Sequence, residues 1–329
     1  MSTSSTRRAR AFIIRKPFLA ALITAVSVLT VMALLLATLM LIQNRMSQTQ
    51  NVADTSATHQ ETLLILGVDS QDSSMVGHRS DVIMLMRMRH DPEWFDIVSV
   101  PRDSLVDLPD CAGSHATEHS GKKDKLNSAF AYGSVADVDD RGSAQAGMDC
   151  AAMAITEEAG IPIDDAIATT FNGVAGIIDS LGGADLPVDD DGRIVREGKG
   201  EQHFSGQGVV AQLRARKTET GGSDLSRINH QQEILGALLD YYRSEGIIDS
   251  SGSVNSMKEF TALLTALTNG TATTVSLNDV RSLMQRAAST PVSTATLPTG
   301  PADDGVNAVW TQQTTQFWQA YKNGEDLPK

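Results

Sequence analysis

The usual engines of phosphate and hydrolytic chemistry are missing from this chain. It contains no G-x-x-x-x-G-K-[ST] and no G-x-G-x-x-G after a strand, so neither common glycine loop for nucleotide phosphates is present. No H-E-x-x-H offers a helical zinc pair, and no G-x-S-x-G offers a nucleophile elbow. Seven histidines are scattered; His115 and His119 have i,i+4 spacing but lie in a polar loop rather than a helix, so no histidine metal pair is expected. Acidic residues are absent from positions 1–53, where Arg7, Arg8, Arg10, Arg15, Lys16 and Arg45 give +6. The whole chain carries −13, so residues 54–329 carry −19. A body that acidic lacks the basic face nucleic-acid phosphates require, and no nucleic-acid partner is expected. Internal repeats and low-complexity tracts are absent as well.

What is present begins with one long apolar run. Phe18–Ile42 holds 25 residues without a charge. At about 1.5 Å per residue this exceeds the roughly 30 Å hydrocarbon core of a bilayer, so it can span with some tilt. A cleaved signal peptide is the alternative, but its apolar region is usually about 7–15 residues and ends in a small-residue site that "NRMSQTQ" lacks. Lys and Arg in "RRARAFIIRK" hold the preceding end in the cytoplasm. The expected organisation is a cytoplasmic segment (1–17), a transmembrane helix (18–42), a polar stalk (43–60) and an extracytoplasmic domain (61–325). That makes a single-pass type II protein of the cell membrane. Outside the membrane, Cys111 and Cys150 are expected to form a disulfide that staples the loop-rich 111–150 region, against the alternative of two buried thiols.

Within the domain, "TLLILGV" (62–68) is a continuous apolar run suited to a strand buried on both faces. "DVIMLMRMR" (81–89) and "FDIVSV" (95–100) flank "HDPEW" as a hairpin, and 110–125 reads as polar loop. A helix is expected over 145–160, stopped by Gly160. "AIATTF", "NGVAGIIDSLGG" and "ADLPV" read as strand, helix and strand; "SGQGVVAQL" reads as a short helix feeding a strand-like "RARK". An amphipathic helix is predicted over 226–246, with Ile228, Leu235, Leu238, Leu239 and Tyr242 on one side. Further helices at about 255–268, 278–288 and 306–322 enclose a "STATLP" strand. This alternation predicts an α/β fold, one mixed central sheet sandwiched by helices.

Charges cluster at the ends of these buried elements. Asp69 follows "LLILGV", Arg79 and Asp81 head the next strand, and Arg102 and Asp103 end the third. Any one of these is ordinarily a solvated strand terminus, but adjacent strand ends converge on one rim, where open α/β sheets usually bind ligands. In an extended "RAR", Arg214 and Arg216 point to one face. Arg227 and Gln231 share a side of the following helix, which Asp224 or Ser226 can cap. Five guanidinium groups (79, 102, 214, 216, 227) at one rim repel each other unless a multiply charged anion sits among them, and guanidinium forks match phosphate oxygens. Asp69 and Asp81 beside a phosphate suit Mg²⁺, which takes one or two carboxylates plus phosphate oxygens and water. The residues therefore predict an extracytoplasmic site for a pyrophosphate with a divalent metal.

In their order and spacing, "LLILGVDS", "GHRSDVIMLM", "IVSVPRDSLVDLP", "KLNSAFAYG", "GIPIDDAIATTFNGVAGIIDSLGGADLPV", "HFSGQGVVAQLRARK" and "DLSRINHQQEIL" resemble the LytR–CpsA–Psr family of membrane-anchored glycopolymer transferases. The resemblance covers about residues 60–325. It implies an enzyme that moves a glycopolymer phosphate from an undecaprenyl-pyrophosphate carrier to a hydroxyl of peptidoglycan, or of a surface protein, using Mg²⁺ or Mn²⁺. It implies that Asp69 and Asp81 bind the metal, and that Arg79, Arg102, Arg214, Arg216, Arg227 and Gln231 bind the pyrophosphate. Asp103, Lys125, Asn127 and Asp224 match supporting polar positions. Arg79, Arg102, Asp103 and Asp224 are the catalytic candidates, and either Asp103 or Asp224 can serve as base. An apolar tunnel for the prenyl chain is expected between sheet and helices, lined by residues such as those of 81–88 and 228–242. Two positions depart from the family pattern: Gln71 and His230 stand where arginine is usual. The rival readings are a pyrophosphatase acting on the same donor and a non-catalytic lipid-glycan binding regulator.

Overall fold

Both faces of the central strands are apolar, and the two faces meet different fates. The computed structural model describes residues 60–70, 77–90, 93–111, 122–134, 140–215, 224–246, 270–276, 279 and 290–328. In chain order these form β1 (Glu61–Val68), β2 (Ser80–His90), β3 (Glu93–Ser99), β4 (Leu105–Asp107) and β5 (Lys123–Lys125). Helices α1 (Asn127–Gly133) and α2 (Asp140–Ala159) follow, then β6 (Asp165–Thr170), α3 (Phe171–Ser180), β7 (Ala184–Val188) and β8 (Gly200–Phe204). Next come α4 (Gly206–Arg214), α5 (Asp224–Ser244), β9 (Thr271–Thr273), β10 (Val292–Thr296), β11 (Gly300–Pro301), β12 (Ala308–Val309) and α6 (Gln312–Lys322).

The main sheet has six strands in the order β10-β3-β2-β1-β6-β9. β1–β2, β2–β3 and β6–β9 pair antiparallel, whereas β1–β6 and β10–β3 pair parallel, so the sheet is mixed as expected. Side chains alternate across a strand. Leu64, Leu66, Ile83, Leu85 and Val98 therefore point to one face and pack in a single core with Phe130 of α1, Met148 and Ile155 of α2, and Phe317 and Trp318 of α6. Burying each such large apolar side chain contributes about 1.5–3 kcal/mol. Ile65, Val82, Met84, Met86, Phe95 and Ile97 point to the other face, beneath α3 and α5. There a second core, including Ile178, Leu186, Phe204, Val209, Ile234 and Tyr242, joins α3, α4 and α5 to the separate β7–β8 ribbon.

Two devices hold the first core. Cys111 and Cys150 are bonded, with Cα atoms 5.4 Å apart, which bears out the expected disulfide. Beside it α1 and α2 approach closely enough that a Cβ at Gly133 would lie 2.4 Å from the Ala146 carbonyl oxygen. At the far end of the sheet Arg87, fully buried, pairs with Asp96 and donates to the carbonyls of Ala320, Tyr321 and Glu325. Ala320 and Tyr321 lie in the last turn of α6, whose carbonyls lack intrahelical partners, and Glu325 follows the helix. One guanidinium thus ties the end of α6 to β2, stacked 4.6 Å from the centroid of the Tyr321 ring.

Several expected boundaries move. "RARK" does not start as a strand: Arg214 closes α4, Ser205 caps that helix by accepting from the Gly208 N–H, and the backbone becomes extended only at Ala215. The argument that Arg214 and Arg216 share the face of one strand therefore fails at Arg214. α2 starts at Asp140 rather than 145, and Gly160, at φ +64°, ends it where expected. The last helix begins at Gln312 instead of 306, because residues 308–309 pair with 300–301. Within 110–125, read as loop, Lys123–Lys125 forms β5 and pairs with β4. "ADLPV" is a strand, but in the β7–β8 ribbon instead of the main sheet. The predicted helix over 255–268, nearly all of that over 278–288, the apolar run 18–42 and the stalk up to residue 59 lie outside the described residues. Among the described residues no helix is long and apolar enough to cross a membrane.

Two substitutions test these ties. Arg87→Met is expected to cost about 3–5 kcal/mol in urea unfolding, because Asp96 stays buried without its cation; adding Asp96→Leu should recover part of that loss. Replacing Cys111 and Cys150 by alanine opens a link of sequence separation 39. It should cost up to about 4 kcal/mol by the same measurement.

Candidate functional site

Strand pairing alone assembles the rim. β1 ends where β2 begins, with Val68 opposite Ser80 after a register shift at Gly67/Val68, and the Asp69 N–H donates to the Arg79 carbonyl at 3.0 Å. β3 runs antiparallel to β2, and the Val100 N–H donates to the Ile83 carbonyl at 2.9 Å. Asp69, Arg79, Asp81, Arg102 and Asp103 consequently stand on neighbouring strand ends, as expected from the sequence.

Arg102 is the hub. Its Nη1 lies 2.5 Å from the Asp81 carboxylate and its Nε lies 3.6 Å from Asp103. Asp103 Oδ1 in turn accepts from Lys125 Nζ at 2.9 Å. The Asn127 N–H donates to the Arg102 carbonyl at 3.1 Å, which starts α1 at the same rim. The sequence reading required a polyanion to hold the arginines together; here carboxylates already balance Arg102. Arg214 is steadied differently, with its guanidinium carbon 4.8 Å from the centroid of the Phe171 ring, a cation–π contact. Phe171 is the first residue of α3, directly after the β6 strand end, and Thr170 caps that helix by accepting from the Gly173 N–H.

Gln231 joins the rim to an apolar cavity. With Asp81, Ser99, Arg102 and Ile228 it borders a small polar recess. It also lines a cavity of about 420 Å³ walled by β2 and β3 side chains such as Met84, Met86 and Ile97, and by Leu235, Leu238 and Leu239 of α5. Gly67 forms part of this wall and carries no side chain to fill the space. The expected tunnel location between residues 81–88 and 228–242 is therefore a real hollow in the fold.

α5 is fixed over it by Gln232, whose Nε2 donates to Ser99 Oγ, the Ala295 carbonyl and Thr296 Oγ1 at 3.1–3.2 Å. Sequence reasoning missed Gln232 and Phe171; the adjacent Gln-Gln pair and the strand-terminal aromatic were the available signals. Arg216 and Gln71 lie outside the described residues. Asp224 and Arg227 belong to the first turn of α5, and their side chains lie outside the described set; the helix starts at Asp224, two residues earlier than predicted. His230 lies near Asp189, whose carboxyl is held below its ordinary range chiefly by the Arg193 N–H, with His230 a lesser contributor.

Among the described residues no three His, Cys, Asp or Glu side chains converge on a metal position. Asp69 and Asp81 stand at adjacent strand ends, and Mg²⁺ needs no more than one or two carboxylates beside phosphate oxygens and water.

Residues 36–323 match the LytR_cpsA_psr family. The chain belongs to that family. Among curated LytR_cpsA_psr relatives, it is 27% identical over 272 residues to the polyisoprenyl-teichoic acid–peptidoglycan teichoic acid transferase TagU of Enterococcus faecalis, covering 80% of this chain and 78% of that one. It is 27% identical over 188 residues to the corresponding transferase TagV of Bacillus subtilis, covering 54% of this chain but only 43% of TagV. The fold matches the solved structure of YwtF (TagT) with bound octaprenyl pyrophosphate lipid, at a TM-score of 0.53 and 21% identity over 80% of this chain and 89% of that one.

Filling the cavity provides a test. Met86→Trp is expected to weaken binding of an apolar fluorescent probe at least about tenfold, while shifting the unfolding midpoint by only a few degrees. Unchanged probe binding would show that the hollow does not admit ligands.

Proposed function

We propose that this protein is a phosphotransferase that moves a glycopolymer phosphate from a polyprenyl-pyrophosphate carrier to a cell-wall hydroxyl. The observation that carries this reading is Gln231, which borders both the 420 Å³ apolar cavity and the Asp81–Arg102 recess. A ligand with a long hydrocarbon tail and a multiply charged head suits that junction, and the names of the relatives describe transferases of polyisoprenyl-linked polymers. The prenyl chain lies in the cavity between sheet and α5, and its pyrophosphate meets Arg102, with Arg79 and Arg214 nearby. Peptidoglycan is the acceptor favoured by those names.

The chain's residues divide the work. Arg102 turns from Asp81 toward the phosphate and neutralises charge that builds up as the phosphoryl group transfers, the dominant source of catalysis for this chemistry. Asp69 and Asp81 would hold Mg²⁺, which when bound would supply positive charge beside the phosphate. Asp103, fixed between Lys125 and Arg102, takes the proton of the acceptor hydroxyl. Phe18–Ile42 tethers the domain to the membrane from which the donor is drawn.

Asp81→Ala and Arg102→Ala should each lower transfer about 100-fold or more while leaving the unfolding midpoint nearly unchanged. The measurement is product analysis with a polyprenyl-pyrophosphate-linked sugar, with and without peptidoglycan. Phosphate release indifferent to the acceptor would instead identify a pyrophosphatase.

A further inference from the structure

The rim also extends toward α1, away from the apolar cavity. Arg102 and Asp103 are consecutive and their side chains touch, Nε to carboxylate at 3.6 Å, yet each has a further partner in a different part of the fold. Arg102 reaches Asp81 and the recess bordered by Gln231, on the side of the apolar cavity. Asp103 reaches Lys125 of β5, which precedes α1, the helix packed in the opposite core.

On that opposite side a chain of polar contacts runs away from the reacting position. Lys125 Nζ holds Asp103 at 2.9 Å, and its own N–H donates to Asp124 Oδ1 at 2.7 Å. Asp124 Oδ2 accepts from the Tyr132 hydroxyl at 2.6 Å. Tyr132 packs against that core but is only partly buried. Burial and then the Asp124 carboxylate push its phenol up, so it stays a hydrogen-bond donor, and Arg79 lies near enough to oppose that shift. Beyond Lys125 the turn at Asp304 closes the far end. Asp304 Oδ1 accepts from the Val306 and Asn307 N–H groups, and the Ala308 N–H donates to the Asp103 carbonyl at 3.1 Å.

Phosphoryl transfer places the attacking and leaving oxygens roughly in line. If the leaving prenyl phosphate departs toward the cavity, the attacking hydroxyl must come from the other face. We propose that Asp103, Lys125, Asp124 and Tyr132 form the acceptor subsite, and that its ligand is a saccharide. This rests on the transferase reading. A partly buried tyrosine beside carboxylates and an ammonium group suits a sugar, whose apolar face packs on an aromatic side chain while its hydroxyls find donors and acceptors. In the step itself the acceptor oxygen–phosphorus bond forms as the bridging phosphorus–oxygen bond breaks. The electron pair leaves with the prenyl monophosphate, and the hydroxyl proton passes to Asp103.

The test separates the subsite from the reaction. Binding of soluble, uncross-linked peptidoglycan strands is measured on the wild type and on Lys125→Gln, Tyr132→Phe and Asp124→Asn. Binding of a polyprenyl pyrophosphate is measured on the same four proteins. The expected result is glycan binding weakened about tenfold by each variant, with polyprenyl pyrophosphate binding unchanged. Lys125 and Asp124 lie on β5 and Tyr132 on α1, so a folding failure in one element leaves the other as a check. The proposal is overturned if the wild type does not bind the strands, if all variants bind them equally well, or if lipid binding falls in parallel. Glycan binding with the expected pattern but without phosphodiester product would sink the transferase reading and leave the subsite standing.

Discussion

The antiparallel pairing of β1 with β2 and of β2 with β3 is the constraint from which the rest of this molecule follows. It turns three separate stretches of sequence into neighbouring strand ends, bringing Asp69, Arg79, Asp81, Arg102 and Asp103 to one rim. It also fixes which side chains face which way, because the period along a strand is two and a slip of one residue would exchange the faces. Met84 and Met86 look into the cavity only while Ile83 and Leu85 look into the core.

The two faces then diverge in purpose. One is closed by α1, α2 and α6 and reinforced by the disulfide and by Arg87, a buried cation that ends a helix and pairs with Asp96. The other is roofed by α5 but not filled, and Gln232 pins that roof to the ends of β3 and β10. An unfilled apolar face forfeits the close packing that a core normally gains. Rigidity invested on the closed face is what permits a hollow on the open one, and the charged rim sits where both end.

Much of this was legible in the residues themselves. The apolar run at 62–68, the alternation in 81–89 and the glycine stop at 160 each carry a local physical signal, and the strands and helix they predict are present. The strand-terminal charges were legible as a set, and the structure brings five of them together. Arg214 was misread because "RAR" has no periodicity of its own; whether those residues extend or continue a helix depends on the Ser205 cap and on what α4 packs against. The late start of α6 has the same origin, since residues 308–309 are claimed by a partner at 300–301. Gln232 and Phe171 showed only as the second of a Gln-Gln pair and a strand-terminal aromatic, weak signals because their value comes from what lies across from them.

The sequence by itself determined the kinds of element, the mixed sheet, the cysteine pair and the identity of the charged groups at the strand ends, because each depends on local periodicity or on residue chemistry. Only the tertiary structure decided that Arg102 and Asp103, in contact with each other, also reach Asp81 and Lys125, and that carboxylates stand beside the Arg102 guanidinium. The hollow next to them was decided there too. The ion pairs join separate strands, and the hollow sets α5 over β2 and β3 from more than a hundred residues away, and no short window of sequence encodes such a meeting.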